Sequence, residues 1–100
     1  MDMYDKKLVV ILAESALEPK LAKAVMKLGA HGYTVSDARG QGRHGHREAS
    51  WSADGTIRME IICDAPTSEA IAADVHRQFF QNYAISLYVS DVRVLRADKY

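Results

Sequence analysis

Cysteine is nearly absent: Cys63 is the only one in 100 residues. An internal disulfide is therefore excluded, and such usage suits a reducing compartment. Neither charge is in excess, since 13 Lys and Arg stand against 13 Asp and Glu. Nonspecific polyanion binding depends on surplus Lys and Arg, so any basic function here has to be local. Long apolar runs are also missing. The run Leu8-Val9-Val10-Ile11-Leu12 is far shorter than the about 20 residues a membrane span requires. Acids precede it and Glu14 follows it, whereas a secretory signal carries a basic start and a longer apolar core. These absences lead to the expectation of a cytoplasmic protein that does not insert into membrane. There is no low-complexity tract, no linker, and no internal repeat beyond a repeated strand-helix-strand order. Residues 1–100 are accordingly expected to form a single domain. A domain of this size buries only about 60–70% of its unfolded surface, so association with copies of itself is a natural way to gain core.

What is present reads as strands and helices in turn. The run Leu8 to Leu12 favours a strand buried on both faces, although periodicity alone also allows a helix. From Glu18 onward Leu21, Val25 and Leu28 recur at helical spacing, with Lys20, Lys23 and Lys27 on the opposite side. Pro19 suits a first-turn position, and Gly29 or Gly32 can supply a left-handed stop. Tyr33 to Arg39 reads as a second strand. Thr56 to Cys63 alternates, with Ile57, Met59, Ile61 and Cys63 on one face and Thr56, Arg58 and Glu60 on the other. Asp64-Ala65-Pro66-Thr67 is a turn and helix-start signal, and Glu69 lies where the helix dipole favours an acid. Ile71, Val75 and Phe79 mark the inward stripe of a second helix ending near Asn82. The last strand carries Ile85, Leu87 and Val89 in one phase and Val92 and Val94 in the other, a slip at Ser90-Asp91 that suggests a bulge or bend.

The order β-α-β-β-α-β defines an α+β, ferredoxin-like arrangement. Right-handed crossovers place both helices on one face of a four-stranded antiparallel sheet, with the first strand central. The other face is expected to carry Tyr88, Ile62 and Leu95, with nothing in one chain to cover them. Such a face calls for a partner chain.

About fifteen residues, Gly40 to Gly55, join strands two and three, where a hairpin needs about two to five. This segment interleaves Arg39, Arg43 and Arg47 with Gly40, Gly42 and Gly45. Glycines let successive N–H groups turn towards one anion, and Arg forks grip phosphate or carboxylate oxygens. The segment is either a phosphate-binding loop or a solvated loop that happens to be basic. It is not a Walker loop or a dinucleotide fingerprint, because a strand precedes it but no helix follows.

The stretch Gly32-Tyr33-Thr34-Val35-Ser36-Asp37-Ala38-Arg39-Gly40-Gln41-Gly42-Arg43 resembles the second strand and T-loop base of PII signalling proteins, whose pattern is roughly G-x-T-V-x-x-x-x-G-x-G-R. Asn82-Tyr83-Ala84, followed by Tyr88 and Val94-Leu95, resembles the end of the PII-like regulators associated with bicarbonate transport and with carboxysomes. The resemblance implies a homotrimer with sheets facing inward, nucleotide bound between neighbouring subunits, and a T-loop over about residues 40–56. It implies that Thr34 contacts adenine and that Gly40, Gln41, Gly42 and Arg43 line the nucleotide. Glu60 and Ile62 match strand-three positions at the cleft, Arg96 a phosphate-contacting position, and Arg47 an arginine of the transporter-linked group. Tyr83 and Ala84 stand in the stretch where ordinary PII proteins carry a lysine-bearing glycine loop against ATP phosphates. That loop is absent here, so ADP or AMP, with cyclic AMP as a further candidate, is expected rather than ATP with magnesium. The T-loop lacks a tyrosine, which argues against tyrosine uridylylation. The chain ends at Asp98-Lys99-Tyr100 without the paired-cysteine tail of the transporter-linked group, which points to the carboxysome-associated subgroup and to bicarbonate as second ligand. The implied activity is signalling without catalysis or a catalytic cofactor: nucleotide orders the T-loop, which then docks on a bicarbonate transporter or a carboxysome component.

Other candidates have plainer readings. His44 and His46 could face one transition metal, but a full site needs about three or four ligands; otherwise they are exposed loop imidazoles. His31 and His76 read as helix-end and helix-surface residues, and Cys63 as an inert core thiol. Ser15, Ser50 and Ser52 have no base-plus-acid constellation. Trp51 either anchors the loop, meets a partner, or packs on its own subunit. Two alternatives remain open: a trimeric metal-responsive protein of the same fold class, and an RNA-binding ferredoxin-like module. The latter presents paired aromatics on central strands, where this chain offers Arg58, Glu60 and Ile62.

Overall fold

The computed structural model describes residues 1–40 and 55–100. The apolar run lies within strand β1 (Tyr4–Glu14), where Val9, Val10 and Ile11 are all fully buried. Successive strand residues point to opposite faces, so β1 is covered on both. Both of its edges are occupied as well. β3 (Thr56–Cys63) and β4 (Ser86–Val94) each pair with it antiparallel. β2 (Thr34–Ala38) pairs antiparallel with β3, giving the order β2-β3-β1-β4.

A 3-10 turn at Ser15–Leu17 leads into helix α1 (Glu18–Lys27), with Pro19 in its first turn. Of the two candidate stops, Gly29 serves: its φ is +111°, while Gly32 has no positive φ. Gly29 N–H donates to the Met26 carbonyl and Ala30 N–H to the Val25 carbonyl, the paired closure of a Schellman motif that needs a left-handed residue at its corner. Helix α2 (Ala65–Phe79) follows Asp64. The Asp64 carboxylate does not cap the helix; it accepts from Lys6 Nζ at 2.6 Å. Leu21 and Val25 of α1 join Ile71, Val75 and Phe79 of α2 and pack on Val9, Ile11, Met59, Ile61 and Cys63. Both described helices therefore cover one sheet face, as the βαββαβ order required, and among the described residues no helix lies on the opposite face.

Two expectations are corrected. β4 has no bulge: its pairing with β1 runs unbroken from Tyr4↔Val94 to Leu12↔Ser86. The apolar phase changes because the cover changes. Leu87 packs towards the helices, but farther along the same side Asp91 and Arg93 are exposed and bear charge, and the apolar Val92 and Val94 belong to the open face. Leu95, expected on that open face, lies beyond the end of β4 at 56% exposure, with strand parity opposite to that of Tyr88. Among the described residues no helix is long and apolar enough to cross a membrane.

Ile11 is central to the core and wholly buried. Ile11→Ala is expected to destabilise the fold by about 2–5 kcal/mol, read as a lower urea midpoint at unchanged slope.

Candidate functional site

The two-residue period of β3 puts Arg58, Glu60 and Ile62 on the open face, opposite Met59 and Ile61. Pairing then sets Thr34 of β2 beside Glu60 and Ile62 beside Leu8 of β1. Thr34, Glu60 and Ile62 share the wall of one cavity of about 360 Å³. His31, Gly32 and Tyr33, on the approach to β2, line it as well. Its remaining wall comes from Lys99 and Tyr100, returned by the 3-10 turn Ala97–Lys99. Lys99 Nζ stands 5.7 Å from the Tyr100 ring centroid, within cation–π range.

The cavity has charge of both signs. Lys99 supplies a cation and Glu60 a carboxylate. Glu60 Oε2 accepts from Arg58 Nε at 2.8 Å, and Arg58 Nη1 donates to the Tyr88 hydroxyl of β4 at 2.8 Å. The guanidinium is held still more firmly in its charged form by the bond to Glu60 first and by Tyr88 second.

The other expected site residues are placed as follows. Arg96 lines a second cavity, about 300 Å³, that shares Lys99 and Tyr100 with the first. Gly40 stands two residues beyond β2 with open space about it. Tyr83 is not brought to the cavity. It packs on Phe79, ring centroids 6.1 Å apart, and faces a groove between α1 and α2 that Lys20, Lys23 and Lys27 also line. Ala84 follows it in the connection to β4, half-buried. Gln41, Gly42, Arg43 and Arg47 lie outside the described residues, as do His44, His46 and Trp51.

Sequence reasoning missed His31, Tyr33, Lys99 and Tyr100 as cavity residues. Tyr33 and His31 adjoin Thr34, so their neighbourhood was a usable signal. The return of Lys99 and Tyr100 is a tertiary event with no periodic trace. Arg58 and Tyr88 were assigned to the open face, but their bond depends on β3 and β4 both flanking β1.

Among the described residues no group of three or more His, Cys, Asp or Glu is placed to hold a metal ion. On β3 the open face offers Thr56, Arg58, Glu60 and Ile62, so the paired central aromatics of an RNA-stacking sheet are not formed there. Cys63 belongs to the core, and burial above all, with a smaller contribution from Asp64, pushes its thiol pKa up while Lys6 opposes.

A four-stranded antiparallel sheet with two described helices on one face is the ferredoxin-like class of fold, here with a cavity of about 360 Å³ reached from its open side. The model for the family "Nitrogen regulatory protein P-II" matches residues 6–99. A protein of Thermus thermophilus described as PII-like and signalling is similar over 100% of this chain and 99% of its own, at 39% identity and TM-score 0.85. The chain therefore belongs to the P-II family. CPII of Thiomonas intermedia, a nitrogen regulatory PII-like protein solved with ADP, AMP and bicarbonate, is similar over 99% of this chain and 100% of its own. Identity there is 17% and the TM-score 0.81. In its form with ADP and bicarbonate the figures are 23% identity and TM-score 0.83, over 98% of this chain and 96% of the other. At these identities the likeness to CPII is one of fold.

The Cys63 assignment has a direct check. In native protein at pH 8 the thiol is expected to react with a disulfide reagent at least roughly tenfold more slowly than in denaturant, since only an accessible thiolate attacks; equal rates would contradict its burial.

Proposed function

We propose that this protein is a non-catalytic sensor of adenine nucleotides that works as a homotrimer with its open sheet faces inward. ADP or AMP occupies clefts between neighbouring subunits, bicarbonate serves as a further ligand, and residues 40–56 act as the reporting T-loop of a single 1–100 domain. The observation that carries this reading is the convergence of Thr34, Glu60 and Ile62 on one cavity, the positions at which the family resemblance implies a nucleotide cleft.

Physical reasons support the assembly. A sheet with helices on one face only has to bury the other, and that face exposes Tyr4 at 44% and Tyr88 at 46%. A single chain also assembles an incomplete site. Lys99 and Arg96 are near the cavity, whereas Tyr83 faces the groove between the helices and Ala84 follows it. A second copy can supply to one cleft what its own fold carries away from the other. The phosphates fall to Arg96, to Gly40, Gln41 and Gly42, and to Arg43 and Arg47, since glycine-rich backbone and arginine forks suit phosphate oxygens. Bicarbonate is extended to this chain from the CPII complexes, with backbone N–H groups and an arginine of residues 40–56 as its holders.

The output follows from linkage. A ligand moves a segment only by binding one of its states more tightly than another. Nucleotide bound against the segment favours the arrangement that contacts it, and that arrangement meets a cytoplasmic target concerned with inorganic carbon, a bicarbonate transporter or a carboxysome component.

The test combines calorimetry and light scattering. The purified protein is expected to have the mass of a trimer and to bind ADP and AMP more tightly than ATP with magnesium, with affinity altered by bicarbonate. A monomer that takes up none of ADP, AMP, ATP or cyclic AMP at millimolar concentration would overturn the assignment.

A further inference from the structure

Helix α1 carries a charge pattern that its own stability does not favour. Lys20, Lys23 and Lys27 follow one another at intervals of three and four residues, so they stand on one face as like-charged neighbours. Lys20 also falls in the first turn of the helix, where the dipole disfavours a cation. On the sheet, by contrast, lysines are partnered: Lys6 is paired with Asp64 and Lys7 with Asp91. The three of α1 instead border the groove of about 430 Å³ between α1 and α2, which among the described residues is lined by no Asp or Glu. The base of this groove is apolar. It is formed by the buried Phe79, by Tyr83 with its ring centroid 6.1 Å from that of Phe79, and by the half-buried Ala24. An exposed cationic rim thus stands over an apolar base.

Charge and shape together select the occupant. From Lys20 to Lys27 the helix rises about 10 Å, more than a single phosphate group spans, and lysine offers point charges in place of the planar fork that suits phosphate best. A chain with carboxylates at intervals and an apolar side chain between them matches both the rim and the base. The volume lies within the range of about 300–1,000 Å³ usual for sites that receive a ligand. The proposed assembly leaves the groove open, since sheets that face inward make the helix layer the outer surface. We propose that the groove between α1 and α2 docks an acidic segment of another protein, with its carboxylates on Lys20, Lys23 and Lys27 and an apolar side chain on Phe79 and Tyr83. The nucleotide reading of the sheet face is independent of this surface. The test uses no nucleotide, so either can fail alone.

Fluorescence anisotropy with a labelled peptide of repeating Glu-Glu-Leu tests it, with thermal unfolding of each variant alongside. Wild type is expected to bind this peptide at least roughly tenfold more tightly than one of repeating Gln-Gln-Leu, because several exposed ion pairs of modest strength act together. Affinity is expected to fall as salt rises. Lys23→Glu is the decisive variant. It relieves the repulsion along α1 and sets Glu four residues before Lys27, a favourable order. Its melting temperature is therefore expected to hold or rise, while peptide affinity falls at least roughly tenfold; unfolding cannot account for such a loss. Arg77→Glu makes the same change of charge at an exposed cation of α2 outside the groove lining. It is expected to leave affinity within about twofold, since distant exposed charges are screened. A Lys23→Glu protein that keeps the wild-type affinity overturns the inference, as does an equal loss in Arg77→Glu, which reports net charge alone. A peptide of repeating Glu-Glu-Ser that binds as tightly as Glu-Glu-Leu also overturns it, because the apolar base then contributes nothing. Tighter binding of oligouridylate than of the peptide, lost in Lys23→Glu, makes the groove a nucleic-acid site instead. Absence of peptide binding at millimolar concentration ends the proposal.

Discussion

β1 is held on four sides, and the geometry of the site follows from that. It is paired through eight positions with β3 and through nine with β4, and Val9, Val10 and Ile11 are buried towards both faces. A strand so constrained cannot slip, because a shift of one residue would turn every side chain to the wrong face. Its register fixes that of its neighbours. Glu60 and Tyr88 come to flank the same residue, Val10, only because both outer pairings are set by this strand, and Thr34 reaches Glu60 because β2 takes its register from β3. Fixed register brings four separated sequence positions side by side on one sheet face.

The described helices cover one of the two faces, and the open one is not simply apolar. Its middle is closed by the bonds of Arg58 to Glu60 and Tyr88, while Tyr4, Tyr88 and the half-buried Ile62 remain accessible around it. Such a mixture of ordered polar contacts and exposed rings suits contact with another protein chain better than contact with lipid, where unmatched charge is costly. On the proposed reading, the surface that joins the copies and the surface that meets the ligand are the same sheet face, with Glu60 belonging to both.

Much of this was legible in the sequence, for identifiable reasons. The unbroken apolar run of β1, the helical spacing of Leu21 and Val25, and the alternation of Ile57, Met59, Ile61 and Cys63 are one-dimensional records of burial. Each corresponds to an element in the structure. The β4 phase change misled because alternation records which side is apolar. At Asp91 and Arg93 the helix-side positions are charged and exposed; Asp91 is paired with Lys7, and Asp5 Oδ1 lies 4.0 Å from Arg93 Nε. A change of surroundings therefore wrote the same pattern that a bulge would have. The family resemblance put Thr34, Glu60 and Ile62 forward as candidates and the structure sets them on one cavity wall, while Lys99 and Tyr100 had no such signal, because their arrival depends on a turn after the last strand that leaves no spacing to read.

The arrangement also suggests why recognition and response can share so short a chain. Thr34 opens β2 and Ala38 closes it, a distance of roughly 13 Å at strand rise, and residues 40–56 begin just past that end. On the proposed reading a ligand held at the Thr34 end of the strand lies towards the segment whose sequence carries Arg43 and Arg47, and guanidinium groups suit its phosphates. Recognition would then fall on strands of fixed register and charge on the connection between them. This division is what would convert the occupancy of a rigid sheet into a signal in the segment it carries.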